Sequence, residues 1–236
     1  AAAEPFDEIA RQVTALRTVN LVRVDGSRRL DAIEPYHDRV REAVVANLPT
    51  ARARDLHRRL ALTLEQAAHA DAEVVATHWR GAGDAERAAH HAVRAAEAAV
   101  ATLAFRRAAG LYQLALDLGA ARTDQRALLI ALGDALANSG QGGDAAVAYG
   151  RAAAGAPPAV QLDLERRTAT QFLRAGYVDE GLAHARVVLT RVGIEFPHSR
   201  RAALASAGYQ RALLRVRGLD YRERRAADCA PDEAEV

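Results

Sequence analysis

No lysine occurs anywhere in the 236 residues: all 32 basic positions are arginine, and methionine is absent as well. Without lysine there can be no GxxxxGKS/T phosphate loop, no kinase-type ATP lysine and no lysine Schiff base in this chain. The single cysteine, Cys229, excludes an intrachain disulfide and fits a reducing cytoplasm. Aromatics make up only 5% of the chain, too few for a β-sandwich core and better suited to closely packed helices. No apolar run approaches the roughly 20 residues that span a bilayer. Ala1-Ala2-Ala3-Glu4 lacks the basic start and hydrophobic stretch of a signal peptide. A start without Met and an acidic finish read as an excised fragment. The formal charge of +2 gives no global case for a polyanion partner.

What is abundant is alanine, about a quarter of the residues, in a chain that is half hydrophobic. Alanine has the highest intrinsic helix propensity and leaves room for helices to approach closely. Helical spacing runs through Phe6, Ile9, Val13 and Leu16. Two short β-prone runs follow, residues 20–24 and 30–33, separated by the turn Asp25-Gly26-Ser27 and closed by Pro35. Helical periodicity returns from Tyr36 to Leu48. Helix, two-stranded wing and helix predict a partial winged-helix domain over residues 1–48, because a short hairpin needs something to pack on.

From Pro49 onward every periodic segment is helical and every loop short. Expected helices run from Thr50 through Leu64, from Asp71 to Arg80, from Asp84 to about Leu103 and from Phe105 to Leu118. Others cover 160–175, 179–192 and 199–217. Between them lies Leu129–Pro157, two helices around a Gly-rich turn. Leu129, Leu132 and Leu136 share one face, and Gly133 leaves room for a neighbouring backbone. Gly140, Gly142 and Gly143 are expected to break the first helix, with Asp144 capping the second. Ala145, Tyr149 and Ala152 form one face of that second helix, and Ala108, Tyr112 and Ala115 repeat its spacing. Val74, Trp79, Phe105, Leu111 and Tyr149 are assigned to packing.

Leu132, Gly133, Leu136, Gly140, Ala145, Tyr149, Ala152 and Pro157 resemble the tetratricopeptide pattern offset by offset. One such hairpin cannot bury its own apolar face, so stacked neighbours are implied. The expected fold is therefore mainly α: a partial winged helix with a short β-hairpin, followed by a tetratricopeptide-like α-solenoid over 49–218. Residues 219–236 read as a linker or loose tail.

Tyr36-His37-Asp38-Arg39-Val40-Arg41-Glu42, the leucine-spaced helix holding His57, and His78-Trp79-Arg80-Gly81-Ala82-Gly83-Asp84 together resemble bacterial STAND-type signalling ATPases. The closest likeness is to large serine/threonine kinases with such an ATPase and repeat array behind the kinase domain. Arg217-Gly218-Leu219-Asp220-Tyr221-Arg222-Glu223-Arg224 resembles their linker into further helices. The resemblance implies a regulatory, non-catalytic region whose ATPase, with its ATP or ADP, lies elsewhere in the parent chain. It implies that His37-Asp38, after the wing, senses the β-phosphate of ADP. Tyr36 departs from the Met of some relatives. The residue-level alternative is that Asp38 caps its helix and His37 is merely exposed.

Other chemistry is sparse. His57, His69, His78, His90, His91 and His184 form no HExxH and no i, i+4 ligand pair, so surface or cap positions are expected and no metal. No GxSxG occurs, and Cys229 has no partner constellation, so the fragment is read as no enzyme. Arg23, Arg28 and Arg29 on the wing offer the alternative of a DNA-binding regulator with a helical inducer-sensing array. Glu4, Asp7 and Glu8 weigh against nucleic acid. Arg200, Arg201, Arg211 and Arg215, beside Leu204, Leu213, Leu214 and Val216, form a candidate docking face for an acidic partner. The expected partners are a protein or peptide on the helical array and the chain's own ATPase domain, in the cytoplasm.

Overall fold

The computed structural model describes residues 6–25, 32–67, 70–119, 125–194, 196–197 and 199–218. The expected wing turn with Arg28 and Arg29, His69, Cys229 and the expected linker at 219–236 lie outside them. An N-terminal helix, α1 (Phe6–Thr18), leads into an antiparallel hairpin of β1 (Val22–Asp25) and β2 (Ala32–Pro35). The register pairs Val22 with Pro35 and Arg23 with Glu34, so the strands sit one or two residues later than the β-prone runs suggested. Helix α2 (Asp38–Asn47) follows. No described side chain from Glu8 to Thr50 is buried.

The rest is a stack of helices: α3 (Thr50–Glu65), α4 (Ala72–Ala82), α5 (Ala85–Ala101), α6 (Phe105–Asp117), α7 (Gln125–Asn138), α8 (Gly142–Ala153), α9 (Pro158–Arg174) and α10 (Val178–Arg191). From α3 to α10 each helix packs on its sequence neighbours within the stack, so the stack grows by nearest-neighbour contacts. With the preceding hairpin, this gives the expected mainly α chain ending in a tetratricopeptide-like α-solenoid. A last helix, α11 (Arg200–Arg217), has every residue exposed.

Alanine makes this packing possible. Ala88, Ala92, Ala95, Ala96 and Ala99 line the buried face of α5, and Ala108 and Ala115 flank Leu111 and Tyr112 on α6. A methyl group at each contact lets the helix axes approach while the few large side chains fill the remaining space. Those large ones are placed where the sequence reading put them, with one shift. Trp79, Leu111 and Tyr149 are buried and Phe105 is half-buried, but Val74 is 43% exposed and its neighbour Val75 takes the core position. The α4 stripe is rotated by one residue because Val75, Trp79 and Ala82 share a face at i, i+4, i+7.

The turns within helix pairs repeat one geometry. After α5, α7 and α9 the amides of Ala104, Gln141 and Tyr177 donate to the carbonyls of Ala99, Leu136 and Phe172 at 2.8–2.9 Å. The residue before each is left-handed: Leu103 at φ +59, Gly140 at +81 and Gly176 at +86. This is the Schellman ending, which satisfies carbonyls that the helix leaves orphaned. Gly140 alone therefore breaks α7. Gly142 and Gly143 already belong to α8, whose N-cap is Gln141, and Asp144 lies in its first turn rather than capping it. Likewise α4 continues through Gly81 to Ala82 and ends at Gly83, with Asp71 as its cap. Asp84 does cap α5, accepting from the Arg87 amide at 3.1 Å.

Candidate protein-interaction surface

The eight residues of the repeat pattern build one joint. Leu132, Leu136, Ala145, Tyr149 and Ala152 are buried between α7 and α8, and Pro157 is the N-cap residue of α9. Gly133 is required by a side chain rather than by a neighbouring backbone: a Cβ there would lie 2.6 Å from the Tyr149 ring. The ring fits into that gap and its hydroxyl donates to Asp134 Oδ1 at 2.6 Å. Arg167 of α9 reaches the same oxygen at 3.3 Å and bonds Asp163 at 2.7 Å, so one polar network ties three successive helices. Burial pushes the Tyr149 hydroxyl up, and its bond to Asp134 pushes it further against the opposing pull of Arg167. It stays a neutral donor.

A parallel joint holds α3, α4 and α5. Trp79 Nε1 donates to Glu65 Oε1 at 2.7 Å, and His91 Nε2 meets the same oxygen at 2.8 Å. Burial raises the Glu65 carboxyl, but bonds from Trp79 and His91 and the charges of His91 and Arg87 outweigh it and hold the group below its ordinary value. Arg87 also lies over the Trp79 ring, 4.5 Å from its centre. His91 is thus a core histidine, not a surface or cap residue. Elsewhere along the same α3–α4 contact, His57 and His78 face each other with Nδ1 atoms 3.0 Å apart. Burial, then the neighbouring His57, depresses the affinity of His78 for a proton. Among the described residues no three His, Cys, Asp or Glu side chains come together as a metal site.

Between α6 and α8 a groove of about 420 Å³ is floored by Ala109, Leu132, Leu136 and Ala148 and flanked by Arg106 and Arg151. A shallower one across α6 is bounded by Arg80, Arg106 and Leu114. The walls of the first groove come from α6 and α8 and part of its floor from α7, an arrangement the sequence did not disclose.

The other predicted residues lie apart from this surface. His37 is the N-cap residue of α2, exposed, making no capping bond and standing edge-on to Tyr36. Asp38 is the first residue of α2 and sits 3.6 Å from Arg41, so it does not cap. Arg23 is held by its cross-strand partner Glu34, with two nitrogens 2.9 and 2.6 Å from one oxygen. On α11 the arginines are exposed as expected. At 3.6 residues per turn Arg200, Arg201, Arg211 and Arg215 fall within an arc of about 100°. Leu204 lies among them, whereas Tyr209, Leu213 and Val216 lie on another side.

Sequence reasoning missed Glu65, Asp134, His91 and Arg167. A usable signal was present: Ala96-Glu97 and Gly133-Asp134 each set a small residue beside an acid, one helix ahead of Tyr112 and Tyr149.

No protein-family model matches the chain, and no curated protein matches it. Among solved structures it is similar to a Podosopora anserina putative kinesin light chain with nearly identical TPR-like repeats, at 13% identity, covering 65% of this chain and 93% of that one, with a TM-score of 0.34. A variant of the same protein is similar at 12% identity, covering 77% and 98%, also with a TM-score of 0.34. No residue role is carried over from them. No described helix is long and apolar enough to cross a membrane.

Proposed function

We propose that this chain is a non-catalytic regulatory and protein-interaction region of a bacterial signalling ATPase or kinase. A protein or peptide bound on the helical array is coupled through the stack to a nucleotide switch elsewhere in the parent protein. The observation that carries the reading is the pair of polar joints, Glu65–Trp79–His91 and Asp134–Tyr149–Arg167, each of which locks three consecutive helices. Helices joined in this way move together, which suits transmission between a binding face and a switch.

In this reading residues 1–48 form the winged helix, 49–218 the sensing arm and 219–236 a linker. The nucleotide is held by the parent ATPase domain, and this chain supplies one donor toward it. His37 fits that role because an exposed imidazole at a helix N-terminus can donate to an anion. Partner binding biases whether the winged helix stays clamped on ADP. The site of action is the cytoplasm. The DNA-binding alternative is weakened by the Arg23–Glu34 pair, which engages one of its three wing arginines.

The test uses the full-length protein with its ATPase. His37→Ala should speed ADP release and raise basal signalling. Unchanged ADP retention and unchanged signalling would remove the sensor role.

A further inference from the structure

Among the described residues, helix α11 carries the face of a repeat helix without a helix that covers it. Ala205, Tyr209 and Ala212 reproduce the spacing of Ala108, Tyr112, Ala115 and of Ala145, Tyr149, Ala152; Val75, Trp79 and Ala82 have it too, with tryptophan as the ring. In α4, α6 and α8 these triads are buried, every member at 6% exposure or less, whereas Tyr209 is 65% exposed. Two of the buried rings are covered alike, each bonded to an acid of the preceding helix: Trp79 donates to Glu65 and Tyr149 donates to Asp134. For Tyr149 the ring sits on Gly133, one residue before that acid.

Charge points the same way. Residues 200–217 hold five arginines and no acid, and none of the five has an ion pair among the described residues. Around the helix the triad lies on one apolar arc with Ala202, Leu213 and Val216, bordered by Arg201 on one side and Arg217 on the other. A helix that presents a small residue followed by an acid would seat the Tyr209 ring, accept its hydroxyl proton in a hydrogen bond and place its remaining acids beside the flanking arginines.

We infer that the Ala205–Tyr209–Ala212 face of α11 is a docking site for an acidic amphipathic helix of a partner protein, recognised by a small–acid dipeptide flanked by leucines. The inference rests on the reading of the array as an interaction region and names the surface and the chemistry of the partner. It gives the candidate arginines of α11 a supporting role, at the rim and in the long-range field, with the apolar triad as the seat.

The probe is a stapled, fluorescently labelled peptide copying residues 125–139, the helix that covers the equivalent triad within this chain, with Gln125→Glu and Arg126→Glu to make it acidic. It is titrated against the whole 236-residue protein. Saturable binding is expected. It should weaken roughly tenfold or more with Ala205→Glu or Ala212→Glu, both at exposed positions, and be lost with a Gly133→Val peptide. Tyr209→Phe should weaken binding of the parent peptide but not of an Asp134→Ala peptide. Circular dichroism of each variant checks that the fold is unchanged. No saturable binding, or binding indifferent to the α11 substitutions, would overturn the inference. So would concentration-dependent self-association of the peptide-free chain that Tyr209→Glu abolishes, since the occupant would then be a second copy. None of these outcomes bears on ADP retention by the His37→Ala protein, so the two readings fail separately.

Discussion

Helices α8 and α11 carry the same triad, Ala-x-x-x-Tyr-x-x-Ala, yet Tyr149 is 3% exposed and Tyr209 is 65% exposed. The local pattern specifies a face; it does not supply a neighbour. Tyr149 is buried because α7 offers Gly133 as a gap and Asp134 as an acceptor, and because α9 closes the joint with Arg167. The same contrast holds on a larger scale. The stack from α4 to α8 contains nearly all the buried side chains, while α2 and α11 contain none. Stability in a nearest-neighbour array is shared between repeats and their interfaces, so a helix with one open side contributes little.

The comparison breaks most clearly at paired leucines. Leu132→Ala, at a position 4% exposed, should cost about 2–5 kcal/mol in urea unfolding. Leu213→Ala on α11 should stay within about 0.5 kcal/mol. Equal losses at both sites would mean that α11 is packed as tightly as α7.

Paired glycines sharpen it with opposite signs. Gly133→Ala drives a methyl into the Tyr149 ring and should destabilise by about 1–3 kcal/mol. At Gly208, in α11, nothing lies within 4 Å of an added Cβ, so Gly208→Ala should stabilise by up to about 1 kcal/mol through helix propensity. A loss of stability at Gly208 would show a close neighbour there.

Leu103 offers a comparison among turns. It holds the left-handed position that Gly140 and Gly176 hold in the next two pairs, with its side chain 73% exposed. Leu103→Gly should therefore raise the thermal midpoint, with a gain of about 1 kcal/mol from relieved backbone strain. No gain would mean that the side chain makes compensating contacts.

The smallest effect expected is a pH dependence. His78 binds a proton less readily in the folded chain than an ordinary histidine, through burial and then the facing His57. The unfolded chain then holds more protons as pH falls below about 6.5, so stability should decline there and be fully present above it. His78→Gln should flatten that decline. A decline of the same size in the variant would assign it to other groups.

Much of this fold was legible in the sequence, because helical spacing and Gly-ended turns are local signals. Leu132, Tyr149 and the Ala triads declared their faces, and the hairpin was visible from its turn and its β-branched runs. What sequence left unread was tertiary. Whether Gly133 faced a backbone or a ring, and whether His91 was a surface residue or bonded to a carboxylate 26 positions earlier, depends on helices meeting in space. Asp144 illustrates a local competition: Gln141 occupies the cap because the Schellman turn at Gly140 fixes where α8 can begin. Of the candidate residues, Leu132, Leu136, Ala145, Tyr149 and Ala152 were readable as a buried face, whereas the fit of Gly133 to the Tyr149 ring was not. His37 and the α11 arginines were readable only as exposed positions.

Residue-resolved hydrogen exchange on dilute, partner-free protein tests the central contrast most directly. Amides of α5 to α8 should exchange at rates close to those of global unfolding, and amides of α2 and α11 orders of magnitude faster. Protection of α11 equal to that of α8 would contradict the open face around Tyr209.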